Sequence, residues 1–457
     1  MLIYLMAVAT GTAIATGTAA ETGTGAEAGT AVGTGTAAEA GTATEAGTAS
    51  GNGTASGNGT AVSPEPLDRY LEMAAENNPT LKARFASYQA ALQQVPQVGA
   101  LPDPQVSFGY FIKPVETRVG PQQARFSASQ MFPWFGTLEA RESAATKRAR
   151  EAWEAFEEAR SELFYQVRSA YYDLYVTEKS IAITRENMEI LQSFLRLTTA
   201  RMEAGSAPAT DRIRTEIALA DLENQLAALL DRQRYQEVKF NKLLDSDEPV
   251  QVALPGTLPE YGPLPSHTAL MDSIRTGNHT LRALEYRESA LQEKERAAKK
   301  AGKPSFSVGM QYMVTGLPDD PAMAGSASGN DAVILPTVGI SIPLYRKKYR
   351  AMVRETVYRQ EATGHQRSSR QNNLETLLEK GLKEYRDAKR RIALFERQTE
   401  RARQVIRLME SQYATAGNEF DELLRLERDL LRYAIEQEKA RADQWAAVAF
   451  IDYLTGK

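Results

Sequence analysis

Apolar side chains follow two different periods along this chain, and each period occurs in both halves. Four segments, at about residues 104–113, 122–133, 304–314 and 332–343, alternate apolar with small or polar residues. In the first segment the apolar face carries Val106, Phe108, Tyr110 and Ile112. About 9–11 residues with one apolar face are typical of a strand in the wall of a membrane β-barrel. One such strand would fit a soluble sheet equally well, but four of them favour the barrel.

The longer segments repeat with the period of a coiled coil. From Leu163 to Met202, apolar or small residues recur at spacings of four and three, and the same phase returns from Leu374 to Tyr413. This heptad pattern predicts helices of about 65–70 residues, each roughly 100 Å long. Gly205 and Gly417 end them, since glycine fits a left-handed helix C-terminus. A second helix then returns in each half, over residues 210–244 and 420–454.

The chain is an internal duplication. "NNPTLKARFASYQAALQQ" begins at Asn77, and its counterpart "GNHTLRALEYRESALQEK" begins at Gly277. "PQVSFG" and "PSFSVG" follow at the same offset, whereas Pro133 and Pro343 lie ten positions further apart. The extra residues fall in a loop, residues 316–331, which we expect to face outside the cell because long barrel loops do so. An internal duplication of this kind is a fairly specific sign that the fold is built from a repeated unit.

Each half therefore contains a shorter helix (residues 80–98 and 281–301), two strands and a long helical hairpin. We expect a first repeat over residues 63–244, with its hairpin at 137–244, and a second repeat over residues 267–457, with its hairpin at 346–455. Residues 245–266 connect them. Residues 1–62 are low in complexity, and Gly-Thr recurs in them every six residues. No aliphatic core accompanies this repeat, so the segment is typical of a disordered leader or linker. Its apolar start reads as a degraded signal or a wrongly assigned start.

Composition removes several classes of function. The chain has 54 Lys and Arg against 58 Asp and Glu, which gives no electrostatic reason to expect a nucleic-acid partner. It has no Cys, and its three His are scattered, so no metal site is expected. No nucleophile–base pair or phosphate-binding loop is recognisable, and we expect neither an enzyme nor a cofactor. Four strands cannot close a barrel, and an open edge cannot sit in lipid, so a membrane-spanning chain must form an oligomer.

Four short motifs resemble the TolC family of outer membrane efflux ducts over residues 67–457. They are "SQMFPWFG" (129–136), "GSAPATD" (205–211), "FNKLLD" (240–245) and "IDYLTG" (451–456). The resemblance implies a mainly α fold with a small membrane β-barrel portion, assembled as a homotrimer. Twelve strands would form one barrel in the outer membrane of a Gram-negative bacterium. The helices would continue it as a tunnel through the periplasm. Residues 245–266 and the stretch before Thr80 would form an equatorial belt.

The resemblance implies a passive exit duct that works with a periplasmic adaptor and an inner-membrane pump, which we expect to be of the RND type. Heavy-metal cations and drugs both stay open as substrates. A soluble or periplasmic coiled-coil scaffold would explain the heptads but not the four strands, and a diffusion porin would have no use for such long helices.

The resemblance also assigns roles to individual residues. The corners between strand and helix are Pro133, Trp134, Gly136 and Pro343, with Trp134 either at the membrane interface or in a core. The tips that contact the adaptor are Gly205, Ser206, Ala416 and Gly417. Asp421 and Glu422 are expected to ring the pore as a gate, or Asp421 to cap its helix. The basic run "RKKYR" at 346–350 touches either lipid phosphates or only solvent.

Overall fold

A computed structural model describes residues 65–117, 120–246, 248–317, 332–416 and 420–457. The low-complexity segment 1–62, Gly417 and most of the loop 316–331 lie outside these ranges. Within them, no helix combines the length and the apolarity needed to span a membrane.

The elements follow the same order in both halves. The first half contains α1 (Glu65–Asn77), α2 (Pro79–Gly99), β1 (Gln105–Val115), β2 (Gln122–Phe132), α3 (Thr137–Glu203) and α4 (Ala209–Leu244). The second contains α5 (His267–Gly277), α6 (His279–Ala301), β3 (Ser305–Thr315), β4 (Ala332–Ser341), α7 (Arg346–Ala416) and α8 (Phe420–Thr455). The short helices α1 and α5 were not expected from the sequence, and they too are a duplicated pair.

An asparagine fixes the start of the second helix in each half. The Asn78 side chain accepts hydrogen bonds from the backbone N–H groups of Thr80 and Leu81, and Asn278 caps α6 in the same way. The Asn278 amide also donates to the Leu454 carbonyl at 3.1 Å, and the Asn78 amide to the Leu243 carbonyl at 3.5 Å. Each asparagine therefore joins the start of its repeat to the end of its own hairpin, which explains why both copies carry it.

The four strands form one antiparallel sheet in the order β1-β2-β3-β4, so β2 and β3 join the two repeats. Phe108, Phe126, Tyr312 and Ile334 lie in one cross-strand row. Their side chains are between 41% and 62% exposed. The row on the opposite face contains Ser107, Ser127 and Gln311, and two of these hydroxyl groups lie 2.6 Å apart. The sheet thus has an exposed apolar face and a more polar face.

The helical hairpins pack along the heptad positions that the sequence indicates. Leu163, Val167 and Leu174 are buried on α3, as are Leu374, Leu378 and Ile392 on α7. The connector at residues 248–266 packs against the middle of these helices. Tyr171 donates to the Ala253 carbonyl at 3.2 Å, and the Trp445 indole donates to the Pro259 carbonyl at 2.8 Å. A second core joins the two hairpins near their tips, around Leu191, Phe194, Tyr413 and Phe420.

Candidate functional site: corners, hairpin tips and the contact between them

The first corner is a tight turn that begins at Pro133, which directly follows β2. Gly136 has φ +71°, a left-handed conformation, and a Cβ there would collide with the amino group of Lys300. The Thr137 hydroxyl donates to the Trp134 carbonyl at 2.6 Å and closes the turn. The half-buried Trp134 ring stacks on Phe306 of β3, with the centroids 6.0 Å apart. The corner of the first repeat is therefore held by residues of the second.

The second corner passes through Pro343 and leads directly into α7. Arg346, the first residue of α7, donates to the Gly302 carbonyl at 3.1 Å, just after α6 ends. Both corners therefore rest on the same end of α6. This places the four strands in a fixed relation to the start of the long helices.

The first hairpin tip is a compact turn with an open surface. Gly205 has φ +69°, and the backbone N–H of Ser206 donates to the Arg201 carbonyl at 2.8 Å. Apart from Gly205 and its two chain neighbours, no described residue has a heavy atom within 4 Å of a Cβ built on Gly205. At the second tip, Ala416 is the last residue of α7, and Gly417 lies beyond the described part of the chain. The surface at the first tip is thus open around Gly205.

A contact that the sequence did not reveal joins the two hairpins just above the tips. The hydroxyl of Tyr413 on α7 donates to the carboxylate of Asp211 on α4 at 3.3 Å, and both side chains are buried. The Arg201 guanidinium lies over the Tyr413 ring, 4.6 Å from its centroid, and donates to the Tyr413 carbonyl. Burial, then the nearby Asp211, raise the pKa of the Tyr413 hydroxyl. The only sign of this contact in the sequence was that Tyr413, which carries a hydroxyl, occupies a heptad position.

The two acidic residues expected at the gate lie in the first turn of α8. The helix begins at Phe420, so Asp421 lies inside it and is not the cap. The expectation that Asp421 caps the helix is therefore wrong. A carboxylate at this position still interacts favourably with the helix dipole. Asp421 is 3.5 Å from Arg214 of α4, and the Asp421 side chain is 72% exposed. Glu422 lies 3.5 Å from Arg425 on its own helix. Solvent screens both pairs, so much of the acidic character of this turn persists.

A hollow of about 520 Å³ lies between the hairpins next to this turn, and it contains a second acidic group. Glu427 is buried there, and the Asn187 amide donates to its carboxylate at 3.3 Å. Burial and the nearby Glu410 raise the pKa of Glu427 to about 7. In the part of the chain that the structure describes, no group of three His, Cys, Asp or Glu could hold a metal ion.

The comparisons with known proteins give one family match and several solved structures with the same fold. Residues 70–245 match the family described as Outer membrane efflux protein. The solved outer-membrane channel OprN has a TM-score of 0.70 at 18% identity, covering 86% of this chain and 90% of its own. CusC, a transmembrane channel, has a TM-score of 0.70 at 16% identity, and the match covers 85% of this chain and 92% of CusC. VceC of Vibrio cholerae has a TM-score of 0.70 at 14% identity, and the match covers 86% of this chain and 96% of VceC. No curated protein matches significantly. The mainly α fold class with a small sheet is confirmed.

Proposed function

We propose that the chain is one third of a trimeric efflux channel, since residues 70–245 match the family described as Outer membrane efflux protein. The sequence indicates a TolC-type channel in the outer membrane. The matched family and the similar solved structures are of the same kind. The family is one of transport channels, which agrees with the expectation that the chain is not an enzyme.

The sheet carries the proposal. β1 and β4 are each paired on one side only within the described residues, and one face of the sheet is apolar and exposed. Unpaired edges are costly in lipid, so the edge of one chain must pair with the opposite edge of the next. Three chains would supply the twelve strands that the resemblance implies. A soluble coiled-coil scaffold has no use for such a face and is not favoured.

Engineered disulfides test the assembly directly, because the chain has no Cys of its own. We would combine Ser107→Cys on β1 with, in turn, Val333→Cys, Leu335→Cys or Thr337→Cys on β4; all four positions share the same face of the sheet. One β4 position should give a covalent ladder that ends at three chains under oxidising conditions in outer membranes.

The matched control moves the first cysteine to Ser127, which is opposite Ser107 but lies on the inner strand β2. It should give no links between chains. A ladder that stops at two chains, continues beyond three, or forms equally from Ser127 would contradict the trimer.

The same proposal gives the channel its partners. The hairpin tips around Gly205, Ser206, Ala416 and Gly417 would receive a periplasmic adaptor, and an inner-membrane pump would supply the energy. The exposed backbone at Gly205 supports this, since a partner can approach it closely. Asp421 and Glu422 would form the charged ring of the entrance. The pump and adaptor would select the cargo, whether heavy-metal cations or drugs.

A further inference from the structure

A surface of unusual charge lies where the second repeat leaves the sheet. Two adjoining hollows, of about 470 Å³ and about 570 Å³, open between the end of α6 and the start of α7. Four residues that line the first are Lys or Arg, as are five that line the second, and Lys303 lines both. None of the lining residues of either hollow is Asp or Glu. We call this surface the basic junction.

Much of this charge is not balanced by carboxylates. Lys303, Lys348 and Arg350 are exposed, and none of them forms an ion pair with a described residue. Lys299, which also lines the second hollow, does have a partner, since it pairs with Glu295 at 2.6 Å. Outside the hollows, Arg359 pairs with Glu355 at 2.9 Å. Cationic side chains that converge without a protein partner favour an anion from outside the chain.

Local stability alone gives no reason for this charge. The first turn of α7 contains Arg346, Lys347 and Lys348 and no acidic residue. Positive side chains at a helix N-terminus oppose the helix dipole, at a cost of roughly 0.3–1 kcal/mol each. The equivalent turn of α3 instead contains Glu139, as the dipole favours. The duplication thus kept the fold in both halves, but only the second repeat carries the unfavourable cations.

The position of the junction identifies the anion. The exposed apolar face of the sheet continues through Ile342, Leu344 (77% exposed) and Tyr345 (83% exposed), and the basic residues begin immediately afterwards. At most about 14 Å of extended chain separates Ile342 from Arg346. If the apolar face lies in hydrocarbon, the basic junction lies at the level of the lipid headgroups, which occupy the outer several Å of each leaflet.

We propose that the basic junction is a binding site for the phosphate headgroups of anionic glycerophospholipids in the periplasmic leaflet, a proposal that rests on the membrane position of the sheet. Side chains at the end of α6, Lys303 just beyond it and side chains at the start of α7 form the site, and Tyr345 and Tyr349 line the first hollow with them. Basic pockets beside membrane-spanning segments are suited to such headgroups. Three such sites would surround the rim of one trimer.

The test uses the purified trimer in detergent and native mass spectrometry with phosphatidylglycerol. The variant combines Lys303→Gln, Lys348→Gln and Arg350→Gln, and it should bind phosphatidylglycerol roughly 100-fold more weakly than the unmodified trimer, given the usual contribution of each basic residue near a charged membrane. The matched control combines Arg234→Gln, Arg403→Gln and Arg407→Gln, which remove the same charge from exposed positions on α4 and α7. It should bind as the unmodified trimer does.

Two further arms separate the alternatives. A charge-preserving variant, with Lys303→Arg, Lys348→Arg and Arg350→Lys, should retain binding, which excludes misfolding as the cause of a loss. Phosphatidylcholine and inorganic phosphate should bind at least tenfold more weakly than phosphatidylglycerol. Equal binding by the Gln variant, equal binding of phosphatidylcholine, or displacement by inorganic phosphate would overturn the proposal. The proposal would also be overturned if the Gln variant bound lipid normally but no longer bound a protein partner. The disulfide experiment described above tests trimer formation independently, so a failure of the trimer can be distinguished from a failure of lipid binding.

Discussion

Among single residues, Glu427 is the one through which we expect the contact between the hairpins to depend on pH. Its pKa is about 7 in the folded chain, against an ordinary value of 4.5, because it is buried and lies near Glu410. The folded state therefore holds this proton more tightly than the unfolded chain does. Stability is lost as pH rises from about 4.5 to about 7, and the loss stays complete above that. We expect Glu427→Gln to unfold like the unmodified protein at pH 5 but to be more stable at pH 8.

The gain at pH 8 should be on the order of 3 kcal/mol at most, measured by thermal unfolding of the trimer. Glu396→Gln, at an exposed position of α7, serves as the control and should change little at either pH. A stabilisation by Glu427→Gln of equal size at both pH values would show that its charge is not the cause.

The charge of the entrance is also a matter of single residues. If Asp421 and Glu422 ring the pore, replacing both by Ala should lower cation selectivity and weaken block by divalent or trivalent cations in planar bilayers. The control replaces Glu223 and Asp231, two exposed acids of α4, and should leave both properties intact. If the Asp421 and Glu422 variant keeps selectivity and block and loses only thermal stability, these residues serve the helix terminus alone.

Between elements, the hydrogen bond from Tyr413 to Asp211 ties α7 to α4. Tyr413→Phe removes only the hydroxyl and leaves the ring packed on Phe420, 4.9 Å between centroids. A bond to a charged acceptor contributes roughly 1.5–3 kcal/mol, so we expect a more open tip and a several-fold rise in single-channel conductance. Tyr385→Phe is the control, because its hydroxyl donates to Gly262 at the belt, at 2.7 Å, far along the same helix. It should reduce stability and leave conductance unchanged; equal effects on conductance would refute the role of the tip contact.

The elements themselves were largely readable from the sequence, whereas their mutual contacts were not. The period of the apolar residues is a local property, so the heptads from Leu163 and from Leu374 predicted long helices with the correct buried face. The contact of Tyr413 with Asp211 depends instead on how two hairpins are rotated and staggered, which no short stretch of sequence encodes. The pairing of β2 with β3 across the repeats, and the hydrogen bond from the Asn278 amide to the Leu454 carbonyl, depend on the same long-range geometry.

At the scale of the whole molecule, the tips are where an assembled channel would meet its partner. Gly205 adopts a left-handed conformation, so Gly205→Leu costs roughly 1–2 kcal/mol locally and adds a bulky side chain to an open surface. We expect efflux in cells to be lost while the disulfide-linked trimer still forms. Ala204→Leu, one residue earlier and in right-handed conformation, should be milder. Normal efflux with Gly205→Leu would place the adaptor contact elsewhere.

The pairing of β2 with β3 has a consequence for the origin of the chain. The hydrogen-bonded ladder between the two repeats is antiparallel, like the ladders within each repeat, so the sheet itself does not distinguish a junction inside one polypeptide from a junction between two. An ancestral gene half as long, encoding two strands and one hairpin, could have closed the proposed twelve-stranded ring as six copies. Fusion of two such genes would then have freed each half to diverge, and the acidic start of α3 beside the basic start of α7 is a difference that six identical subunits could not have had.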